Sequence, residues 1–368
     1  MTSQLRQFER YLDHLTPALK HRDREAGLRG YCAGLLAPLA RKSVEPMAAH
    51  LDPRNTRSLH ESLHHFVADS AWSDALLLAR VAQWLVPKMD FSAGGWWFVG
   101  DTSLSRHGSH MVGVARQHCK TQRRLDTCQL AVSVSLASRR ASLPLAWRLY
   151  LPRAWADDAA RCAKAGVPES LAYTSRPAIA LAQLEHLLEA GAPRHAVLAD
   201  TEYFNDAEFR RGLRSLDLEC LALGQSAATA HLQRRGELDM RSLKQDFGLD
   251  HYEGRGWRGM HHHASLCIAA YGFVLAQQLG QTHQPQTAAP IEARAALGDA
   301  ALGDAALGLT HYRPRGSPAH AAPRPLVGHA LVSAYRRESV PSVAAGAAVA
   351  AGAAAAGVAA PRGSAAST

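Results

Sequence analysis

The spacing of apolar residues changes near residue 93, and this change restricts the folds open to the chain. Before it, apolar residues recur every three or four positions, which is the spacing of one face of a helix. The periodic stretches are 5–15, 26–39, 56–67 and 75–86, and Pro87 follows the last of them. Residues 1–92 are therefore predicted to form an all-helical N-terminal domain.

Beyond residue 93, strands are predicted first, and helices then alternate with strands. Four runs rich in Val, Leu and aromatic residues predict consecutive strands at 96–101, 111–118, 128–137 and 144–151. Helices are then predicted at 155–165, 176–190, 205–216, 237–247 and 258–279, with strands at 195–200 and 219–224. Because this order matches a ribonuclease-H-like fold, residues 93–280 are predicted to form an α/β core with a mixed sheet.

Two of the predicted strands end in an aspartate, and a later helix carries a glutamate. Asp101 and Asp200 end the strands, and Glu237 opens the predicted helix 237–247. A strand end holds a carboxylate rigidly at the sheet edge, where ligands usually bind in α/β folds. Mg²⁺ prefers oxygen ligands, and two such ions can clamp an in-line phosphoryl displacement. Together the three acids predict a two-metal site for nucleotidyl transfer, although any one of them alone is more often a solvated surface group.

The charge of the chain favours a polyanionic partner. It contains 41 Lys and Arg residues against 32 Asp and Glu, which gives a formal net charge of +9. Arg255, Arg258 and the arginine pairs at 123–124, 139–140 and 234–235 are candidate contacts to DNA phosphates. For any single pair, a solvated surface is the alternative interpretation.

Other classes of protein are disfavoured. The six cysteines form no CxxC pair, which favours free thiols in a reducing compartment. A cytoplasmic protein without a membrane partner is expected, because no signal peptide and no apolar run of about 18 residues is found in the folded part. The histidines at 261–263 are unsuited to zinc, since consecutive helical residues point about 100° apart. The sequence contains no GxSxG motif, the motif that would indicate a serine hydrolase.

The last part of the chain, residues 281–368, has a different composition. The pentapeptide AALGD occurs at 295–299 and again at 300–304, and sequence rich in Pro, Ala and Gly continues to the end. Such a segment has too few large apolar side chains to offset the entropy of ordering. We therefore predict a disordered, low-complexity tail.

Several motifs carry a family resemblance. The sequence GLDHYEGR at 248–255, followed by Trp257 and the three histidines, closely resembles the segment after the catalytic glutamate in bacterial insertion-sequence transposases. The group is the family numbered seven hundred and one, within the DDE superfamily. Other matching blocks are GYCAGLL at 30–36, RKSVEPM at 41–47, HHFVADSAWSD at 64–74, VGVARQ at 112–117 and AGVPE at 165–169.

This resemblance implies a ribonuclease-H-like core with a catalytic triad formed by Asp101, Asp200 and Glu237. These acids would bind two Mg²⁺ ions, which Mn²⁺ can replace. Lys244 stands at the family's spacing after Glu237 and is expected to touch phosphate at a transposon end. The implied partner is double-stranded DNA, as terminal repeats and as target, with a homodimer as one possible assembly. The implied location is the bacterial cytoplasm, at the nucleoid.

The chain also departs from the family pattern. Gly100 stands where relatives usually carry a further aspartate. Glu237 follows Gln225 after only twelve positions, although relatives have a long β-rich insertion before the glutamate. The repetitive tail replaces the usual C-terminal end. An alternative interpretation is therefore a degenerate, weakly active or inactive DNA-binding remnant of such a transposase.

Overall fold

A computed structural model of the chain describes residues 3–281, except 107, 109, 121, 225 and 226. The disorder predicted for the C-terminal tail concerns residues that lie outside this range, apart from Gln281. Within the described residues, no helix has both the length and the apolar content of a membrane span.

The N-terminal part of the described chain is helical, as predicted. Its helices are α1 (Ser3–Leu15), α2 (Glu25–Leu36), α3 (Val44–Leu51), α4 (Thr56–Ala68) and α5 (Asp74–Leu85). α3 was not predicted, because eight residues are too few to display a helical period. α2 ends three residues earlier than predicted, since Pro38 disfavours helical geometry at the residue before it, and Ala37 is extended with ψ 150°.

A mixed sheet follows and confirms the predicted fold class. Its strands are β1 (Gly95–Ser105), β2 (Ala115–Cys119), β3 (Arg124–Ser138), β4 (Ser142–Leu149), β5 (Ala196–Ala199) and β6 (Cys220–Ala222). The strand order is β2–β3–β1–β5–β6, and β4 pairs with β3. β1 is antiparallel to β3 and parallel to β5, which is itself parallel to β6. The strand predicted at 111–118 begins only at residue 115, because 111–113 form a turn with Gly113 at a positive φ of 74°.

The remaining helices agree with the prediction except at three places. They are α6 (Arg153–Ala156), α7 (Ala159–Lys164), α8 (Arg176–Glu189), α9 (Thr201–Asn205), α10 (Ala207–Ser215), α11 (Ala227–Gln245) and α12 (Trp257–Gln281). One of the three places is α9, a short helix that was not predicted. The helix predicted at 155–165 is divided into α6 and α7, because Asp158 caps a new helix by accepting from Arg161 N.

The helix that carries Glu237 begins earlier than predicted. α11 starts at Ala227, so Glu237 lies inside the helix and does not open it. Gly236 is also inside α11, where a Cβ would lie 3.7 Å from the ring of Phe98, an ordinary contact. Helix-favouring residues before Gly236 extend the helix in spite of that glycine.

α12 joins the helices to the sheet. It packs against α2, α4, α5 and β4, and its residues are buried over almost its whole length. One hydrophobic core consequently runs from Leu5 in α1 to Leu279 in α12. The proposed domain boundary at residue 92 falls in the turn before β1, and it remains a prediction.

Candidate active site between β1 and β5

The parallel pairing of β1 and β5 brings two of the predicted acids together. Val99 lies opposite Ala199 in the register, Asp101 is two residues beyond Val99, and Asp200 immediately follows Ala199. The prediction that a strand ends at Asp101 is wrong, because β1 stays paired with β3 up to Ser105, so Asp101 lies inside β1 just past the segment that pairs with β5. Asp200 also begins α9, because its carboxylate accepts a hydrogen bond from Tyr203 N at 3.5 Å. The local sequence therefore fixes Asp200 at the strand end by two independent features.

Two basic side chains contact this pair of carboxylates. Lys120 forms an ion pair with Asp200, and its Nζ lies 3.5 Å from Oδ2 of Asp101. Arg176, at the start of α8, forms ion pairs with both Asp101 and Glu202. The negative charge of Asp101 and Asp200 is thus balanced by cations within the chain.

Burial differs between the two aspartates. The side chain of Asp101 is 0% exposed, and the Tyr203 hydroxyl donates a hydrogen bond to its Oδ1. The side chain of Asp200 is 26% exposed and is therefore the more accessible carboxylate. A buried carboxylate is costly unless it is paired, which explains the dense set of partners around Asp101.

The pKa values of the surrounding groups reflect this cluster. Burial alone would lower the pKa of Lys120, but the carboxylates of Asp101 and Asp200 raise it above its ordinary value. The pKa of Arg176 is likewise raised by Asp101 and Glu202 against the effect of burial. Burial and the adjacent Asp101 raise the pKa of Tyr203, so its hydroxyl stays protonated and can donate. Lys120 and Arg176 are therefore both cationic at neutral pH.

Alternate residues of β1 face opposite sides of the sheet. Trp97 and Val99 belong to the main core, whereas Phe98 packs with Leu232 of α11 in a separate cluster. Asp101 is two residues after Val99, so its side chain lies on the same face of the sheet as Val99, away from α11. Gly100 faces the α11 side, where the one atom that a Cβ would meet within 4 Å is Oδ2 of Asp200, at 3.9 Å.

Glu237 does not join the two aspartates in this structure. Its side chain is exposed, and its Oε1 accepts a hydrogen bond from Gln233 Nε2 at 3.0 Å, one turn earlier in α11. Among the described residues, no group of three or more His, Cys, Asp or Glu side chains is arranged to hold a metal ion. The structure therefore brings Asp101 and Asp200 together and leaves Glu237 apart, and the triad remains a prediction.

The predicted DNA contacts occupy three different environments. Lys244 is partly buried in α11 and donates a hydrogen bond to Ser103 O at 2.7 Å, and burial lowers its pKa. Arg258 is exposed and donates to Asp69 O at 3.0 Å. Arg255 is exposed, and its carbonyl accepts from Val112 N. The two arginines are accessible to a phosphate, whereas Lys244 first has to leave the β1 backbone.

The three consecutive histidines are structural in their contacts. His261 lies between Trp257 O and Leu149 N, and His262 lies between Val67 O and Trp72 O. His263 lies between the Tyr31 hydroxyl and Gly248 O. Because the three rings bind three different parts of the fold, they do not form a zinc site.

The two neighbouring aspartates suit a divalent cation. Asp101 and Asp200 present carboxylate oxygens to one ammonium group, that of Lys120, which stands where a cation bound by both acids would lie. Carboxylate oxygens are the preferred protein ligands of Mg²⁺. The pair therefore fits such an ion, provided that Lys120 moves aside.

Sequence reasoning did not find Lys120, Arg176 or Tyr203. Tyr203 carries a local signal, since it lies at the position whose backbone N–H an N-cap aspartate at 200 would bind. Lys120 follows β2 and Arg176 begins α8, and neither has a motif that relates it to Asp101. Only the tertiary fold brings them to the site.

These features define the class of protein. A mixed sheet carries two aspartates side by side on its neighbouring parallel strands β1 and β5. The sequence model of the DDE superfamily endonucleases matches residues 14–238, a range that includes Asp101, Asp200 and Glu237. The chain belongs to this superfamily. Among curated proteins, none matches the chain.

Proposed function

We propose that the chain is a transposase of an insertion sequence, which cleaves DNA strands at transposon ends and transfers them to target DNA. The observation that supports this most strongly is the pair of carboxylates, Asp101 and Asp200, on neighbouring parallel strands and facing one cation. The superfamily supplies the substrate class, because its members are endonucleases.

Asp101 and Asp200 are the residues that would hold Mg²⁺ or Mn²⁺, and Glu237 is the proposed third ligand. Two bound ions supply activation of the attacking oxygen and stabilisation of the leaving oxygen. Because Glu237 is exposed and apart from the aspartates, this proposal requires a movement of its side chain or of α11 on binding of metal or DNA.

The basic residues of the site have a further role in this proposal. If Asp101 and Asp200 bound a metal ion, their ion pairs with Lys120 and Arg176 would weaken. The two basic side chains would then be available to the oxygens of the scissile phosphate. Arg255 and Arg258 would hold the DNA backbone further away, without reading its sequence. Lys244, a homodimeric assembly and a location at the nucleoid belong to the same proposal.

A second candidate function is a DNA-binding remnant with little or no cleavage activity. It is favoured by the separation of Glu237 from the aspartates and by the compensation of both aspartates by Lys120 and Arg176. Gly100 stands where similar transposases usually carry a further aspartate, so the site has one carboxylate fewer than theirs.

Nicking of a supercoiled plasmid with Mg²⁺ or Mn²⁺ distinguishes the two candidates. The transposase proposal predicts that Asp101→Ala and Asp200→Ala each lower the rate by about 100-fold or more, since even outer-shell partners of a metal site affect activity by roughly 10–100-fold. Asp157→Ala, at an exposed position, is the matched control and should nick like the wild type. Thermal melting of each variant excludes simple unfolding. Equal background nicking by wild type and the three variants would favour the DNA-binding remnant.

A further inference from the structure

A large cavity lies between α5, α8, α12 and the edge strand β4. Its volume is about 750 Å³, within the range of small-molecule sites. Apolar and aromatic side chains form much of its wall, among them Leu78, Trp147, Ile179 and Trp257. The carboxylates of Asp101 and Asp200 are not part of that wall, so the cavity is distinct from the candidate active site.

Three polar atoms of the cavity wall are buried and have no hydrogen-bond partner in the part of the chain that the structure describes. They are Nε1 of Trp147, Nε of Arg148 and Oε1 of Gln183. Trp147 is 5% exposed, so solvent does not satisfy its indole N–H freely. Buried polar groups in native proteins are nearly always paired, so these three atoms require a partner in the cavity, which a ligand or water can supply.

Arg148 is the most informative of the three residues. Burial lowers its pKa, and no ion pair to it is found among the described residues. Asp74 also lines the cavity, but it forms no ion pair with Arg148 there. A half-buried cation without a counterion is costly, so the site calls for an anionic group from a ligand.

Three aromatic side chains that line the cavity contact one another. His261 packs edge-on against Trp147, with ring centroids 5.4 Å apart, and lies 4.2 Å from the ring of Trp257. It thereby fixes both indoles in position. Rigid indole faces are suited to stacking against a planar ring, and base stacking on such side chains is a common mode of nucleic-acid recognition.

α8 connects the cavity with the candidate active site. Its first residue, Arg176, is ion-paired with Asp101, and its later residues Ile179 and Gln183 line the cavity. Gln183 Nε2 also lies 3.5 Å from Val132 O, on the residue that pairs with Asp101 in the sheet. A ligand in the cavity would therefore contact the same helix that holds the catalytic candidate.

We propose that this cavity binds a single nucleotide, with its base against the ring of Trp257, the edge of that base at Trp147 and Gln183, and its phosphate at Arg148. An anion with a planar body satisfies the unpaired cation and the indole wall together. A base edge carries both acceptors and donors, which match Nε1 of Trp147 and Oε1 of Gln183. The choice of a nucleotide rests on the proposed action on DNA. The nucleotide is either free or extruded from a DNA strand, as in enzymes that unstack a base.

Calorimetric titration of the full chain tests this site with three ligands. They are deoxyadenosine monophosphate, a DNA duplex with one extrahelical nucleotide, and the same duplex fully paired. Arg148→Met should weaken binding of the nucleotide or of the extrahelical duplex by about tenfold or more, because a charge-assisted hydrogen bond is lost. Arg211→Met removes the same charge at an exposed position on α10 and should leave both affinities unchanged.

Trp147→Phe provides a second variant, which keeps an aromatic ring and removes the N–H donor. It should also weaken binding, and it keeps the test decisive if Arg148→Met does not fold. The melting temperature of Arg148→Met without ligand should equal or exceed that of the wild type, since an uncompensated cation is removed.

The ligand arms identify the source of the nucleotide. If the variants lose affinity for the monophosphate alone, the ligand is a free nucleotide. If they lose affinity for the duplex with the extrahelical nucleotide, the ligand is an extruded one. If wild type binds neither, or if Arg148→Met and Trp147→Phe bind both as tightly as Arg211→Met, the proposal is overturned. Failure to bind the fully paired duplex would instead count against the proposed DNA-acting function, and the monophosphate titration would still decide the cavity.

Discussion

Asp101 and Asp200 share one feature at the scale of single residues: each has a cation within the chain as its partner. Lys120 contacts both carboxylates, and Arg176 contacts Asp101 from the start of α8. The ammonium of Lys120 therefore competes with any metal ion for the same oxygens. This competition can be measured without an assay of DNA cleavage.

Lys120→Met should make the protein more responsive to divalent cations. Without metal, its melting temperature should fall, because Asp200 loses its ion pair and Asp101 loses a nearby charge. Added Mn²⁺ should then raise the melting temperature by more than it does in wild type, since a ligand that binds the folded state stabilises it. Lys164→Met, at an exposed position, is the control. Equal stabilisation of all three proteins by Mn²⁺ would contradict binding between the aspartates.

At the scale of elements, two glycines inside helices have opposite surroundings. A Cβ on Gly27 in α2 would lie 2.4 Å from the ring of Phe66 in α4, so the two helices approach closely because this residue is glycine. A Cβ on Gly236 in α11 would lie 3.7 Å from Phe98, at normal contact distance. The same substitution should therefore have opposite effects at the two positions.

Gly27→Ala should destabilise the protein by about 1–3 kcal/mol, the usual cost of overpacking a core. Gly236→Ala should stabilise it by about 0.4–1 kcal/mol, because alanine reduces the entropy of the unfolded chain and suits a helix interior. Urea unfolding of the two variants beside wild type measures both values, and each variant serves as the control for the other. Destabilisation by Gly236→Ala would mean that α11 does not continue through this position.

α12 should make the protein sensitive to acid through His263. This side chain is buried, and burial lowers its pKa from 6.5 to about 4. Since the folded pKa lies below the unfolded one, the unfolded state binds more protons between these values. The contribution of neutral His263 to the free energy of unfolding is fully present above pH 6.5. It decreases as the pH falls towards 4, by on the order of 3 kcal/mol for this one group.

Unfolding free energies at pH 7 and pH 4.5 measure this dependence. His263→Gln should lose less stability between the two values than wild type does, although it is less stable at pH 7 through the loss of its bonds to Tyr31 and Gly248. His64→Gln, at an exposed position in α4, should behave like wild type. The same acid loss in His263→Gln as in wild type would exclude His263 as its source.

At the scale of the whole molecule, the formal net charge of +9 predicts binding to duplex DNA that weakens with salt. Each phosphate neutralised by Lys or Arg releases counterions, so the affinity falls steeply between 50 and 200 mM salt, by about 10³-fold for six contacts. Fluorescence anisotropy with a labelled duplex at several salt concentrations measures the slope. Arg255→Gln and Arg258→Gln should each reduce that slope, and Asp157→Ala is the control. An affinity that does not change with salt concentration would count against a nucleic-acid partner.

Much of the fold was predictable because its signals are local. The helical spacing before residue 93 and the β-rich runs after it predicted the order of elements and the mixed sheet that the structure contains. The end of α2 was available locally from Pro38, whereas the extent of α11 through Gly236 was less predictable. Helix ends depend on small energies of one or two residues, and tertiary contacts easily outweigh those energies.

The sequence by itself determined the two aspartates as candidate site residues, the helical N-terminal part, and the motifs that mark the superfamily. The tertiary structure decided what surrounds those acids. Parallel pairing of β1 with β5 set Asp101 beside Asp200, and distant segments supplied Lys120 and Arg176. The alternation of β1 directed Asp101 away from α11, and with it from Glu237. Periodicity reports which residues are buried, but the contacts between distant segments depend on packing that no local pattern encodes.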